Sequence, residues 1–191
     1  MLVPAEVWNI VQREGDERPV VLLRPVGSEA ALPIIIDGFQ AASILLGLKN
    51  ERIDQADRPH THDLFIDVLT HLGAQLARIE ITGIRRETYY GRLILTVPGR
   101  EEVSVDSRPS DCIALAVRVK CPIYVDEDLV NEEGKVYHVD GENLTVAPTD
   151  VRELQLLKDR LRRAVEAENY EEAAKLRDML KKMEGKPEGT D

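Results

Sequence analysis

The sequence predicts an α+β fold, with a mixed, largely antiparallel sheet, packed helices and a C-terminal antiparallel helical hairpin. Three observations support this prediction. Residues 74–107 contain three segments in which apolar and polar residues alternate, and short turns join them as in antiparallel strands. Apolar residues with helical spacing separate the other strand-like segments. Residues 150–184 contain neither glycine nor proline, and their apolar residues recur with a helical period.

The first elements follow from apolar runs that are bounded by turn-forming residues. Residues 6–12 and 19–26 predict a first pair of strands, joined by a polar turn. Residues 32–37 predict a compact third strand. The helical spacing of apolar residues over 38–48 predicts a helix, and the carboxylate of Asp37 is placed to cap it.

Two further helices are predicted in the middle of the chain. The first covers Thr61–Leu72, with Thr61 as its N-cap, an apolar stripe along one side and Gly73 as its end. The second covers Pro109–Val119, because proline is favoured at the first helical position. Residues 121–130 predict one more strand.

These elements divide the chain into four parts. Residues 1–130 hold a complete set of strands and helices and predict one domain. Residues 131–149 are polar and turn-rich, which predicts a linker or an extra strand. Residues 150–184 predict two helices joined at Asn169, and the tail over 185–191 is expected to be disordered.

The composition predicts a cytoplasmic globular protein without a membrane segment. No apolar run reaches the length of a membrane span, and the N-terminus lacks the basic start and apolar core of a signal peptide. The two cysteines, Cys112 and Cys121, have no metal-binding spacing and are expected to be reduced structural thiols.

The charge of the chain is unevenly distributed. The net charge is −10, and residues 151–191 hold 10 basic and 10 acidic residues, so the whole excess lies in residues 1–150. An acidic body does not attract nucleic acid through its overall field. Any binding of nucleic acid therefore has to depend on a local site or on a metal ion.

Two segments with a similar layout contain the candidate chemistry. Residues 58–64 read RPHTHDL and residues 107–111 read SRPSD, so each places Arg-Pro and an aspartate at the start of a predicted helix. Guanidinium groups bind anions, and carboxylate groups can hold a metal ion or move protons, so each segment combines both kinds of chemistry. The repetition of this layout predicts one shared site rather than two unrelated helix caps.

The candidate residues divide by their chemistry. Arg58 and Arg108 carry guanidinium groups that match phosphate, and the Ser110 hydroxyl can bond a phosphate oxygen. The catalytic candidates are the acidic and imidazole side chains of the two segments: Asp63, His62 and Asp111. The two aspartates are also the candidate ligands of a divalent metal such as Mg²⁺.

A structural interpretation of the same residues stays open. A carboxylate in the first turn of a helix is favourable through capping and the helix dipole alone. Arg58 and Arg108 can be buried partners of Asp63 and Asp111, which would give a stabilising network without catalysis. The two interpretations differ in whether the four side chains converge in an open cleft or are buried and mutually paired.

Longer stretches of the chain resemble two known families. The segments RPHTHDL and VDSRPSDCIALAVRVKCPIYVDEDLV resemble the signature of the bifunctional nuclease (BFN) domain family, and LPIIIDGFQAASI resembles its first strand–helix unit. Gln40 stands where family members often have an acidic residue, and Cys112 stands where alanine is usual. The hairpin sequence AVEAENYEEAAKLRD resembles the UVR motif of the UvrB and UvrC repair proteins.

The resemblance implies a bacterial nuclease that cleaves DNA or RNA with little sequence specificity. It also implies that the hairpin over residues 150–184 binds a protein partner or a second copy of the chain, in a homo-oligomer. The rival interpretation is a non-catalytic module that binds a ligand or a protein in DNA repair or the stress response. The acidic charge favours the module, and the two Arg-Pro segments favour the nuclease.

Overall fold

A computed structural model describes residues 1–12, 18–49, 58–140, 143–146 and 149–184. Within these ranges the chain forms nine strands and six helices, which confirms the predicted α+β class. The strands are β1 (Leu2–Gln12), β2 (Pro19–Pro25), β3 (Ala30–Ile35), β4 (Gln75–Arg85), β5 (Thr88–Thr96), β6 (Val103–Ser107), β7 (Ile123–Asp126), β8 (Lys135–Asp140) and β9 (Asn143–Val146). The helices are α1 (Gly38–Leu48), α2 (Thr61–His71), α3 (Pro109–Val119), α4 (Glu127–Glu133), α5 (Thr149–Glu166) and α6 (Tyr170–Glu184).

Antiparallel pairing dominates the sheet, as predicted. β1 pairs with β2, β2 with β3, β4 with β5 and β5 with β6, all in antiparallel register. β7 joins these two groups, because it pairs antiparallel with β1 and parallel with β4. The pairs of β3 with β8 and of β8 with β9 are antiparallel. The strand order is therefore β6-β5-β4-β7-β1-β2-β3-β8-β9.

Alternation along the strands separates the main core from a polar face. Ile79 and Ile81 of β4 are buried in the core, together with residues of β5, α1 and α3. Glu80 lies between them in sequence and belongs to the opposite face of the strand. It is 1% exposed and ion-paired with Arg78 at 2.8 Å and Arg92 at 2.6 Å. Two guanidinium groups thus neutralise the buried carboxylate.

Helix α3 lies close to both α1 and β5 because glycines face it. A Cβ atom at Gly47 of α1 would lie 2.5 Å from Val117 Cγ2, and one at Gly91 of β5 would lie 3.0 Å from Cys112 Sγ. Larger residues at these positions would push α3 away. The two glycines therefore help to set the position of the first turn of α3, which contains Asp111.

The predicted cap of α1 is confirmed, with an additional partner. Asp37 Oδ1 accepts a hydrogen bond from Gln40 N at 2.8 Å, and Gln40 Oε1 accepts one from Asp37 N at 3.0 Å. Each side chain satisfies a backbone donor of the other residue, as in a capping box. The glutamine that departs from the family pattern thus serves the start of the helix.

Two local features differ from the predictions, and a third adds to them. Residues 127–133 form helix α4 instead of continuing a strand, because Asp126 Oδ1 caps a new helix by accepting from Asp128 N at 2.9 Å. The N-cap of α2 is His60 rather than Thr61, and Asp63 Oδ2 accepts from His60 N at 3.3 Å. Most of the apolar stripe of α2 is exposed, namely Leu64, Phe65, Val68 and Leu72, whereas Ile66 and Leu69 contact the core.

The described residues form two compact units. The first contains residues from 1–26 and 32–134, and the second combines residues 27–31 with the described residues from 135 onward. Both predicted helices of the hairpin are present and pack against each other through a core of Leu157, Ala164, Ala173, Leu176 and Leu180. The predicted disordered tail, residues 185–191, lies outside the described residues.

A buried carboxylate joins helix α5 to residues 27–31 within the second unit. Asp159 is 2% exposed, and its Oδ2 accepts hydrogen bonds from Ser28 Oγ at 2.6 Å and from Glu29 N at 3.0 Å. Its Oδ1 accepts from Arg162 Nη2 at 2.8 Å.

Of the helices that the structure describes, none combines the length and apolar character needed to span a membrane.

Candidate functional site

The two Arg-Pro segments meet in the fold, as predicted from their shared layout. His62, in the first turn of α2, places its Nε2 atom 3.2 Å from Asp111 Oδ1, in the first turn of α3. These residues are 49 positions apart in the sequence. The side chains are 20% and 26% exposed, so the contact is partly open to solvent.

Arg108 binds the same aspartate from the other side. Its Nε donates to Asp111 Oδ2 at 2.7 Å, and its Nη2 donates to Oδ1 at 3.2 Å. The hydrogen bonds that Arg108 donates to this carboxylate raise the pKa of the Arg108 guanidinium. Because the Arg108 side chain is 69% exposed, its ion pair with Asp111 is worth little to stability and leaves the guanidinium accessible.

Asp63 is paired with an arginine outside both segments. Arg118, in the last turn of α3, donates from Nε to Asp63 Oδ1 at 2.8 Å and is 8% exposed. Its Nη1 also donates to the carbonyl oxygens of Ser43 at 2.9 Å and Ala114 at 2.7 Å. Arg118 was not among the predicted site residues, although it lies seven residues after Asp111 and thus on the same face of α3.

The remaining candidate residues lie in different environments. Arg58 is exposed, and within the described residues no ion pair includes it. Ser110 is 5% exposed, so its hydroxyl offers little surface to a phosphate. Of the expected buried network, the pair of Arg108 with Asp111 is present but exposed, whereas the pair of Arg58 with Asp63 is wrong, because Arg58 is exposed and Asp63 binds Arg118 instead. The functional roles of the candidate residues stay predictions.

A third helix adds a hydroxyl to the site. Ser43 of α1 is half-buried, and its Oγ lies 2.9 Å from His62 Nδ1 and 3.4 Å from Arg118 Nη2. A carboxylate at Nε2 favours the tautomer in which Nε2 carries the proton, and this leaves Nδ1 to accept from the hydroxyl. The sequence signal for Ser43 was a single hydroxyl within an apolar helix.

The described side chains of the site do not form a preformed cage for a divalent cation. Within the described residues, no group of three or more His, Cys, Asp or Glu side chains is close enough to hold a metal. The carboxylates of Asp63 and Asp111 are both engaged by guanidinium groups, whereas Mg²⁺ prefers free oxygen ligands. The metal therefore has no part in the mechanism proposed below.

The two cysteines are free thiols, as predicted. Burial raises the pKa of the Cys112 thiol to about 12 and that of Cys121 to about 11. A thiol that stays protonated at neutral pH is a poor nucleophile. Cys112 follows Asp111 directly, yet it serves the core rather than the chemistry of the site.

A second polar feature lies on the sheet, away from the helices. An open depression on β4, β5 and β6 is lined in part by Arg85, Tyr90, Arg92 and Asp106. The Arg85 guanidinium lies 5.4 Å from the centre of the Tyr90 ring. Tyr89, the neighbouring residue, packs against the core, so only Tyr90 of the pair presents its ring to the depression.

Comparisons with known proteins match both parts of the chain to families. The family model of the bifunctional nuclease domain matches residues 21–138, and that of the UvrB/uvrC motif matches residues 152–186. An uncharacterized protein of Mycobacterium tuberculosis is 36% identical over 152 residues, which are 80% of this chain and 87% of that protein.

Two plant relatives are named as nucleases. Bifunctional nuclease 1 of Oryza sativa subsp. indica is 31% identical over 192 residues, covering 89% of this chain and 57% of the rice protein. Bifunctional nuclease 1 of Arabidopsis thaliana is 29% identical over 181 residues, covering 84% of this chain and 54% of the plant protein. The chain thus spans a little over half of these plant proteins. Because the domain match covers more than half of the chain and includes both Arg-Pro segments, the chain belongs to the bifunctional nuclease domain family and has a UvrB/UvrC motif in its C-terminal hairpin.

Proposed function

We propose that the protein hydrolyses phosphodiester bonds of DNA or RNA with little sequence specificity, at the junction of α1, α2 and α3. The observation that carries this proposal is the position of His62, held between the Ser43 hydroxyl and the Asp111 carboxylate. An imidazole held by a carboxylate acts as a general base and then as a general acid, which is the proton chemistry that phosphodiester hydrolysis needs.

Exposed guanidinium groups support phosphate binding at the same place. Arg108 is 69% exposed beside Asp111, and Arg58 is exposed at the start of the other segment. A guanidinium offers two parallel donors to a phosphate and favours the charge that develops during cleavage. Asp111 already binds Arg108, so a phosphate would compete for the donors of that arginine. This local binding is compatible with the acidic charge of the chain.

The direct test is a cleavage assay on the full chain. Labelled single-stranded and double-stranded DNA and RNA are incubated with the protein in Mg²⁺, in Mn²⁺ and in chelator. We expect cleavage that His62→Ala reduces by at least about a hundredfold, since general acid–base catalysis contributes roughly that much or more. The matched control is His71→Ala, which removes an exposed histidine of the same helix. Full activity of His62→Ala would refute the proposal.

A second candidate function is a non-catalytic binding module. The observation that favours it is the engagement of Asp63 and Asp111 by Arg118 and Arg108, which uses both carboxylates in ion pairs. In that case the UvrB/UvrC motif would bring a cytoplasmic protein to its partner or to a second copy of itself. An absence of cleavage under all the conditions above, with the chain correctly folded, would select this function.

The hairpin can be tested separately for self-association. Val165 is 51% exposed and Met179 is 54% exposed, so charged residues at these positions should disturb a contact surface without disrupting the core of the hairpin. We expect Val165→Glu with Met179→Glu to lower the mass measured by light scattering if the chain is a homo-oligomer. An unchanged oligomer would show that these side chains are not part of its interface.

A further inference from the structure

We infer that Ser43 is the nucleophile of this site and that cleavage proceeds through a covalent phosphoserine intermediate. The inference rests on the proposed phosphodiester hydrolysis and adds the group that attacks phosphorus. It comes from a chain of three side chains on three helices, namely Ser43 of α1, His62 of α2 and Asp111 of α3.

The hydrogen bonds among these three side chains run in one direction, from the hydroxyl to the carboxylate. Asp111 Oδ1 accepts from His62 Nε2 at 3.2 Å, which leaves the lone pair of Nδ1 free to accept from Ser43 Oγ at 2.9 Å. The sequence of hydroxyl, imidazole and carboxylate is the arrangement that activates serine nucleophiles on unrelated folds, where it is identified by geometry rather than sequence position. In the usual serine triad, Nε2 accepts from the serine and Nδ1 donates to the carboxylate. Here Nδ1 accepts from Ser43 and Nε2 donates to Asp111, so the proton still passes from the hydroxyl to the imidazole.

Arg118 helps to fix the hydroxyl in this position. Its Nη2 lies 3.4 Å from Ser43 Oγ, and its Nη1 binds the Ser43 carbonyl oxygen at 2.9 Å. A serine within a helix often turns its hydroxyl back to the carbonyl four residues earlier. The described contacts of the Ser43 hydroxyl are instead with His62 and Arg118, on two other helices. Arg118 is therefore a positioning residue for the nucleophile.

The proposed reaction has two balanced steps. In the first, Ser43 Oγ attacks phosphorus and gives its proton to His62 Nδ1, and the bond from phosphorus to the leaving nucleoside oxygen breaks as that oxygen takes the same proton from His62, which leaves the imidazole neutral. In the second, water attacks phosphorus and gives a proton to His62 Nδ1, and Ser43 recovers its proton as the bond to phosphorus breaks. Asp111 stabilises the imidazolium in both steps, and exposed Arg108 is placed to bind phosphate oxygens.

A fluorophosphonate probe tests the activated serine independently of any nucleic acid. Such a probe forms a phosphonyl–serine bond with release of fluoride, and peptide mass spectrometry identifies the labelled residue. We expect labelling of Ser43 in the full chain, none at this position in Ser43→Ala, and labelling at least about tenfold slower in His62→Ala. The control is Ser104→Ala, which removes an exposed serine of β6 and should leave the labelling of Ser43 unchanged.

Cleavage kinetics then separate this inference from the proposed function. We expect Ser43→Ala to reduce cleavage by at least about a hundredfold with an unchanged melting temperature, and acid quenching to trap a nucleotide adduct on Ser43. If His62→Ala is inactive but Ser43→Ala cleaves normally, His62 activates water, so the inference fails and the proposed function stands. If no variant or wild-type chain cleaves, the proposed function fails and absence of probe labelling at Ser43 rejects the activated serine as well.

Discussion

The two Arg-Pro segments begin alike and lead into helices, yet their arginines end in different places. Arg108 is the N-cap of α3 and binds Asp111, three residues later, at 2.7 Å. Arg58 precedes the N-cap of α2 by two residues, and Asp63 lies five residues after Arg58. The Asp63 carboxylate binds Arg118, which is 55 positions away.

The difference shows how spacing decides between a local and a long-range ion pair. An arginine at the N-cap lies on the same side of the first turn as a residue three positions later, so Arg108 reaches Asp111 without tertiary structure. Two additional residues place Arg58 before the helix, where it is exposed. Asp63 is then available for Arg118, and that pair depends on the packing of α2 against α3. Stability should therefore depend on one segment far more than on the other.

The largest effect on stability is expected for Arg118→Met. This change removes the partner of Asp63 and the donors to the Ser43 and Ala114 carbonyl oxygens from a side chain that is 8% exposed. We expect the free energy of unfolding to fall by about 2–4 kcal/mol, measured by chemical denaturation. Arg118→Lys, which keeps the charge but loses the forked geometry, should lose less. An unchanged free energy of unfolding for Arg118→Met would contradict the assignment of a tertiary ion pair.

A smaller loss is expected for Asp63→Asn. The carboxylate is 34% exposed, and the amide retains a similar shape, while Arg118 keeps its two carbonyl partners. We expect a loss of about 1–2 kcal/mol in the same measurement. If Asp63→Asn costs more than Arg118→Met, the carboxylate has a role in stability that its pairing with Arg118 does not explain.

Arg108→Ala should affect activity much more than stability. Its ion pair is exposed, so the expected change in the free energy of unfolding is at most about 1 kcal/mol. Loss of a guanidinium from the proposed phosphate site should lower cleavage by at least about tenfold. The melting temperature and the cleavage rate of the same preparation are to be compared. A stable variant with full activity would remove Arg108 from the site.

The smallest effect on stability is expected for Arg58→Ala. The side chain is exposed, and such substitutions usually change the free energy of unfolding by less than about 0.5 kcal/mol. If Arg58 contacts a phosphate, its removal should reduce the salt dependence of nucleic-acid binding by about one unit of slope. Titrations at several salt concentrations measure that slope. An unchanged slope would leave Arg58 with no role in binding phosphate.

Local patterns in the sequence were sufficient for much of the fold. Alternation around Ile79 and Ile81 predicted a strand, Pro109 predicted the start of α3, and Asp37 predicted the cap of α1. Each of these signals acts within a few residues. The two segments were expected to meet, and the contact between His62 and Asp111 confirms it.

The missed features depend on information that a local pattern does not contain. The stripe of α2 indicated an amphipathic helix, but periodicity cannot show whether an apolar face meets the core or solvent, and Leu64 and Leu72 are 52% and 72% exposed. The partnership of Asp63 with Arg118 and that of Ser43 with His62 depend on how three helices pack. Residues 127–130 were predicted to continue the strand over 121–130, but Asp126 caps a helix that runs from Glu127 to Glu133.

The hydrogen bonds of Asp159 have a consequence for the order in which the chain folds. Asp159 and Ser28 are 131 positions apart, although they belong to the same compact unit. At a synthesis rate of about 5–20 residues per second, residue 28 would be made roughly 7–26 s before residue 159. During that interval residues 27–31 lack the carboxylate that will bind them. Completion of the second unit is therefore a late step that closes a loop of 131 residues, and it should be slower than formation of the hairpin itself.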